Sequence, residues 1–427
     1  MSQYKPIIVL DDDPTGTQTV HGIPVLTEWS EDVLRQEFSQ RTPLFYILTN
    51  SRALHPEEAE QLASQIGKTI KSLNQECWLI SRSDSTLRGH FPTEVDALAE
   101  GLGWGDDYLT ILLPAFFAGN RFTKDDIHYL KEGDTWIPAA ETPYAQDKTF
   151  GYGNSNLKDW VEEKTKGRIP AFEVDSISIE HLDNEPEAEI LARLNKANKV
   201  LIVNALTDGH LAKFSGAAMA AKRKMIFRTA ASFVASFGRI SEKAYLTRSE
   251  VLADASQTGG VIVVGSHVPK TTTQLKRLLD SGIARVEFEV EAFLRQDDYL
   301  TAVSEKLNEL LADNQDVVLF TSRTLVAGAD EKDSLAISVL VSAGLIKLVQ
   351  NLTEPPKFFI AKGGITSSDL ATKGLGVKRA MVSGQIAAGI PVWKLGDEAK
   401  FPGLSYVVFP GNVGDEGTLR EIYEKLR

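Results

Sequence analysis

One cysteine, Cys77, stands among 427 residues, so no disulfide closes within the chain and no cysteine-built metal site is available. Its neighbours Trp78, Leu79 and Ile80 are apolar, and it reads as a small buried hydrophobe. The seven histidines, from His21 to His267, are scattered without metal-ligand spacing, and no protein-built metal centre is expected. Long apolar runs are missing too: none approaches the ~20 residues of a membrane helix. The amino terminus turns acidic at Asp11 before a secretory segment can develop. Both absences point to a cytoplasmic protein without a membrane partner. Basic residues are outnumbered, 46 Lys and Arg against 58 Asp and Glu, and the net charge of −12 argues against nucleic acid as a partner.

Familiar catalytic signatures are absent as well. No G-x-S-x-G elbow marks an α/β-hydrolase, and no H-E-x-x-H marks a zinc protease. The Gly-Lys-Ser/Thr ending of a P-loop is lacking. Gly374 and Gly376 begin a G-x-G-x-x-G triplet, but Arg379 takes its third place, which disfavours a Rossmann dinucleotide site.

What is present is an ordinary globular composition, 43% hydrophobic and 24% charged, in a chain long enough for two or three domains. One stretch organises the rest. Ile7, Ile8, Val9 and Leu10 form an apolar run, and Asp11, Asp12, Asp13, Pro14, Thr15 and Gly16 follow at once. A run apolar on both faces predicts a central parallel strand, and the acids then lie in the loop at its carboxyl end. In open α/β sheets that edge binds ligands. Three adjacent acids suit a metal, a hydroxyl-rich ligand or a catalytic base, or else form a plain solvated turn.

The same grammar recurs. Leu44 to Leu48 leads to Asn50, Ser51 and Arg52, and Cys77 to Ile80 leads to Arg82, Ser83, Asp84, Ser85 and Thr86. Helical patterns separate these strands, which predicts a parallel sheet with crossover helices and brings the three polar loops to one edge. Ala171 to Val174, Val200 to Asn204 and Met225 to Arg228 are further strand candidates. Residues 119–167 are rich in aromatics and read as an irregular insert closed by a helix through Leu157, Trp160 and Val161. The expected fold is α/β, with two parallel-sheet, three-layer domains and a ligand cleft between them. The expected boundaries are 1–238, a polar linker 239–259, and 260–427.

In the second domain Val261 to Val264 leads to Gly265 and Ser266, and Phe358 to Ala361 leads to Lys362, Gly363, Gly364, Ile365, Thr366, Ser367 and Ser368. Val407 to Phe409 leads to Pro410, Gly411, Asn412, Val413 and Gly414. Glycines let backbone N–H groups approach an anion, and hydroxyls at a helix start add donors, so these loops suit phosphate. Taken singly, the Gly-Gly-x-Thr loop is equally a plain turn.

In chain order, Asp12-Asp13-Pro14-Thr15-Gly16, Asp84-Ser85-Thr86 with Arg88-Gly89, Pro114-Ala115-Phe116 with Asn120-Arg121, Gly265-Ser266, Gly363-Gly364-Ile365-Thr366-Ser367 and Gly411-Asn412-Val413-Gly414 resemble the motif set of the four-carbon acid sugar kinases. The set spans nearly the whole chain. The resemblance implies a sugar-acid-binding domain followed by a nucleotide-binding domain. It also implies transfer of phosphate from ATP, with Mg2+, to the C4 hydroxyl of acids such as D-threonate, D-erythronate or 3-oxo-tetronate. It puts the sugar acid on Asp11, Asp12, Asp13, Arg52, Arg82, Ser83, Asp84, Ser85 and Arg88. It puts ATP on Ser266, Gly363, Gly364, Ile365, Thr366, Gly411 and Asn412. The chain departs from the family pattern at Asp11, a third acid, and at His267 to Lys270, where the family has a hydroxyl-rich loop. The aromatic insert around residues 144–160 departs as well.

Under that resemblance Arg82, with Arg52 or Arg88, clamps the substrate carboxylate. Asp12, or failing it Asp84, accepts the proton of the attacking hydroxyl, and domain closure excludes water. A sugar-acid dehydrogenase and a non-catalytic sugar-acid sensor are the rival readings. The stereochemistry of the acid and the oligomeric state, with a homodimer among the options, are not written in the sequence.

Overall fold

The computed structural model describes residues 4–252, 258–324, 326 and 331–427. The chain forms two compact units, Met1–Glu242 and Lys243–Arg427.

The amino-terminal unit is built on β1 (Ile7–Asp11), β2 (Ile23–Leu26), β3 (Leu44–Leu48), β4 (Trp78–Arg82) and β5 (Leu109–Leu113). A three-stranded antiparallel sheet of β6 (Arg121–Lys124), β7 (Ile127–Glu132) and β8 (Thr135–Pro138) stands apart from them. β9 (Asp175–Ile177), β10 (Val200–Val203) and β11 (Met225–Thr229) complete the main sheet. Among the described residues its order is β2-β3-β1-β4-β11-β5-β10-β9, every pair parallel. β1, β3, β5, β10 and β11 are buried along their whole length, as strands covered by helices on both faces must be. Register then positions the site. Asp11 lies level with Leu48 on one side and Arg82 on the other, and Thr229 lies level with Arg82. The loops that leave β1, β3, β4 and β11 therefore start at one height.

Residues 119–167, expected to be irregular, contain β6 to β8, short 3-10 turns and the helix Leu157–Lys164. The expected strand at 171–174 is instead a 3-10 turn, Ala171–Glu173, held after Pro170 by the Glu173 N–H to Pro170 O bond, and β9 begins two residues later.

The carboxy-terminal unit carries β12 (Val261–Val264), β13 (Ala284–Phe288), β14 (Val317–Thr321), β15 (Phe359–Lys362), β16 (Arg379–Ala387), β17 (Ile390–Leu395) and β18 (Ser405–Phe409). Their order is β13-β14-β12-β15-β18-β17-β16. The pairs from β13 to β18 are parallel, but β18-β17 and β17-β16 are antiparallel, so this sheet is mixed rather than wholly parallel. The reason is the connection. Only Ala388 and Gly389 separate β16 from β17, and so short a link can join antiparallel neighbours alone. Of the segment expected to be a linker, residues 253–257 lie outside the described residues. The remainder includes the helical turn Arg248–Val251, and Leu246 and Val251 are buried. No helix among the described residues is long and apolar enough to cross a membrane.

Candidate active site

At the carboxyl edge of the amino-terminal sheet, acids and guanidiniums interleave. Asp12 follows β1 directly. Arg52, in the turn after β3, reaches it through two hydrogen bonds, Nη2 to Oδ1 at 2.5 Å and Nε to Oδ2 at 3.1 Å. Ser83, after β4, donates its hydroxyl to Asp12 Oδ2 at 2.9 Å. Burial alone would raise the Asp12 pKa, but Arg52, with Arg228 and Arg82 behind it, outweighs burial and holds it below the usual carboxylate range. Asp84 is treated alike. Arg88 Nε donates to it at 2.8 Å, Thr86 donates its hydroxyl, and Arg52 Nη1 lies 3.9 Å away. Arg52 and Arg88 overcome its desolvation and keep it ionised.

Asp11 is different. Among the described residues its single ion-pair contact is to Arg82 Nη1 at 3.4 Å, and its Oδ2 is buried without a partner. Burial, reinforced by Asp12 and Asp13, pushes its pKa up to about 8 against the pull of Arg82. Gly16 closes over it: a Cβ there would lie 1.9 Å from Asp11 Oδ2. Asp13 faces outward, its side chain 21% exposed, and caps the turn Pro14–Thr17 by accepting from Thr15 N at 2.8 Å.

Exposure sorts the guanidiniums as well. Arg82 is sealed at 4%, while Arg52 and Arg88 reach the rim at 18% and 24%. Beneath them lies a layer that sequence reading missed. Arg228, at the end of β11, donates to Ser81 Oγ at 2.8 Å and to Glu94 Oε2 at 2.9 Å, and Ser51 donates its hydroxyl to Glu94. The only sequence signal was an arginine closing an otherwise apolar strand.

The loop from Ser83 to Arg88 is held by the aromatic insert. Tyr152 donates its hydroxyl to Thr86 O at 2.8 Å, and the His128 ring nitrogen Nε2 lies 2.8 Å from Ser85 O. Arg88 packs over the Tyr144 ring at 5.2 Å and lies 3.6 Å from Asp147 Oδ2. Burial pushes the His128 pKa down to about 4, so the ring is neutral near pH 7. Gly89 ends the loop at φ 117°, and a Cβ there would lie 2.7 Å from Ser83 Oγ and 2.8 Å from Arg228 Nη2. A cavity of about 530 Å³ opens at the opposite edge of this sheet; of the cations that line it, Arg223 is bonded to the Leu194 and Ala197 carbonyls and Lys224 to Asp107.

In the carboxy-terminal unit, Ser266, Gly363, Thr366 and Gly411 converge. A Cβ on Gly363, whose φ is 124°, would lie 3.2 Å from Ser266 Cβ and 3.2 Å from Thr366 Oγ1, and one on Gly411 would lie 3.5 Å from Ser266 Oγ. Gly364 opens the helix Gly364–Asp369. Asn412 offers its carbonyl to Lys270 at 3.2 Å, and Ile365 points to solvent at 62% exposure. This narrow, hydroxyl-lined cradle between glycine loops fits a phosphate chain, which approaches backbone N–H groups closely. Lys362, Lys270 and Arg323 border it; the sequence places Lys362 at the head of the glycine loop and Lys270 in a departure from the family pattern, but gives none of the three a role.

The molecule is thus a two-unit α/β protein with a mixed acid-and-guanidinium edge in one unit and glycine loops in the other. The chain matches a sugar-binding N-terminal domain over residues 7–237 and a nucleotide-binding C-terminal domain over residues 261–419, and it belongs to the four-carbon acid sugar kinase family. A D-threonate kinase of Bordetella bronchiseptica is 25% identical over 217 residues, 49% of each chain. A D-erythronate kinase of Heliobacterium modesticaldum is 26% identical over 171 residues, 38% of this chain and 37% of that one. The matched segments thus span half or less of those curated relatives. Among solved structures, a Salmonella typhimurium LT2 protein described as a candidate tRNA synthase superposes with a TM-score of 0.74 at 17% identity, covering 99% of this chain and 98% of its own. A Haemophilus influenzae protein superposes with a TM-score of 0.67 at 16% identity, covering 99% and 100%. At such identities these likenesses define the fold alone.

Proposed function

We propose that the protein is an ATP-dependent kinase acting on the terminal C4 hydroxyl of a four-carbon sugar acid, in the class of D-threonate, D-erythronate and 3-oxo-tetronate. One observation carries this reading: Asp12, Arg52, Ser83, Asp84 and Arg88 meet at the edge of one sheet, each fixed by another member of the set. Such a surface matches a ligand that bears both a carboxylate and hydroxyls. Guanidiniums take carboxylates in pairs of hydrogen bonds, while carboxylates and hydroxyls take the sugar hydroxyls.

In this reading Arg52 and Arg88, the two rim guanidiniums, receive the substrate carboxylate. Arg82 supports Asp11 and Asp12 from below. Asp12 is ionised and accepts the hydrogen bond of the attacking hydroxyl, with Ser83 and Arg52 fixing its orientation. An acid held by arginine is a weak base, but phosphoryl transfer through a loose transition state asks chiefly for positioning. The cradle of Ser266, Gly363, Gly364, Thr366 and Gly411 would hold the phosphates of ATP, and Mg2+ bound to them would supply neutralisation of their charge.

The test is ADP release, measured with a coupled assay, over a panel of C4, C5 and C6 sugar acids. The expected result is turnover with a C4 acid well above the longer ones. Binding of ATP without ADP release from any acid would reduce the protein to a sensor, and reduction of NAD with a C4 acid would make it a dehydrogenase.

A further inference from the structure

β15 ends in a lysine. Lys362 is fully buried, between Val264 of β12 and Phe409 of β18. Its ammonium donates to the carbonyls of Pro410 at 2.7 Å and Gly411 at 3.2 Å and lies 4.0 Å from the centre of the Phe409 ring. Among the described residues no carboxylate forms an ion pair with it. Lys270 donates to the next carbonyl of the same loop, Asn412. Arg323 donates to Ser266 O at 2.7 Å and to Thr272 Oγ1 at 2.8 Å, while its Nε and Nη1 are buried without partners among the described residues. Three cations thus hold backbone carbonyls of the two loops that border the glycine cradle, and among the described residues none forms an ion pair with an acid. A buried cation is costly unless a counter-charge meets it, and carbonyl dipoles and a ring face offset that cost only in part.

We propose that Lys362 is a positioning residue of the nucleotide site: it shapes loop 410–412 through the carbonyls it holds, and its charge is matched by the polyphosphate of the bound nucleotide. The inference rests on the nucleotide reading given above. Burial, with Lys270 adding repulsion, pushes the Lys362 ammonium down to about 7. An arriving polyphosphate restores the charged form, so nucleotide binding takes up a proton. The neighbouring charges leave this balance to the ligand. Lys270 stands on the helix Pro269–Leu279, and the His267 ring is bonded to Ser322 O. Asp369 of the helix Gly364–Asp369 is engaged by Ser342 and Lys373, and Asp415 by Thr418 and the Gly417 N–H.

The experiment is calorimetric titration of the full-length protein with Mg-ADP, from about pH 6 to about pH 8.5. It uses wild type, Lys362→Met and Lys270→Met, with folding checked by circular dichroism. Wild type is expected to bind more weakly as pH rises and to take up protons, read from buffers of different ionisation enthalpy. Lys362→Met should bind about tenfold or more weakly near pH 6.5 and lose the proton uptake. Lys270→Met should weaken binding yet retain the uptake. The ionisation of Mg-ADP itself is common to all three proteins and cancels. Wild-type affinity and proton uptake in Lys362→Met would overturn the inference while leaving the nucleotide reading intact. Absence of Mg-ADP and Mg-ATP binding by wild type would overturn both. If Lys362→Met does not fold, the Lys362→Arg protein decides: a permanently charged side chain must abolish the proton uptake, and its persistence would refute the role.

Discussion

Arg52 closes on Asp12 through two roughly parallel hydrogen bonds, at 2.5 Å and 3.1 Å, across the mouths of two neighbouring loops. The pairing fixes both groups. It keeps Asp12 ionised, and Asp12 Oδ2 accepts from Ser83 as well as from the guanidinium. Asp12→Asn keeps the shape but loses the charge that orients a hydroxyl donor. Turnover should fall by about 10²- to 10⁴-fold, the range of a lost general base. KM for ATP should hardly move. Asp84→Asn, assayed in parallel, discriminates the two carboxylates: if it falls further than Asp12→Asn, Asp84 holds the role assigned here to Asp12.

Gly89 is where the substrate loop has no tolerance. Its positive φ and the closeness of Ser83 Oγ and Arg228 Nη2 leave no room for a methyl group. Gly89→Ala should cost about 1–3 kcal/mol in backbone strain alone, with more from displacing a buried guanidinium. Thermal unfolding should shift down by several degrees, and KM for the sugar acid should rise as the loop moves. An unchanged melting temperature would show that the loop is softer than its contacts indicate.

The first layer of this site is legible in the chain because each loop follows an apolar strand directly, so Asp11 to Asp13, Arg52 and Ser83 to Arg88 announce themselves locally. The supporting layer does not. Arg228 meets Ser81 across 147 positions because β11, the last strand of the main sheet, inserts between β4 and β5. No local pattern states where a late strand inserts. The insert looked irregular for a related reason. The burial of β7 alternates, but its residue types do not, since a histidine takes one inward position and Ile127 and Tyr129 take half-exposed ones, and the bonds from Tyr152 and His128 that tie the insert down are made to Thr86 and Ser85 in another segment. Lys362 reads as the start of a loop, and only the sheet around it reveals a buried cation. The antiparallel edge of the second sheet was readable in principle from the turn at Gly389.

Asp11 predicts an unusual pH response. Its folded pKa, about 8, lies well above the ordinary value of an unfolded aspartate, so between those limits the folded protein binds more protons than the unfolded chain. The stability this provides is complete below about pH 4 and is lost as pH rises toward 8. Asp11→Asn carries no such ionisation. Compared with wild type it should gain stability on going from pH 5 to pH 8, on the order of a few kcal/mol, measured by urea unfolding at both values. A constant difference across that window would mean that Asp11 stays ionised in the fold.

The insert acts on the substrate loop through two backbone carbonyls, and this can be separated from its role in stability. Tyr152→Phe removes the donor to the buried Thr86 O, a loss of about 1–3 kcal/mol. His128→Leu does the same to Ser85 O. Both variants should melt a few degrees lower. Because Arg88 rests on Tyr144 and Asp147 of the same insert, loosening the loop should also disturb the guanidinium assigned to the substrate carboxylate. KM for the sugar acid should then rise about five- to tenfold in either variant while KM for ATP stays constant, as expected of a change confined to one unit. Equal shifts in both constants would indicate general unfolding rather than a loop released from its clamp, and a shift in neither would free the insert from any part in substrate binding.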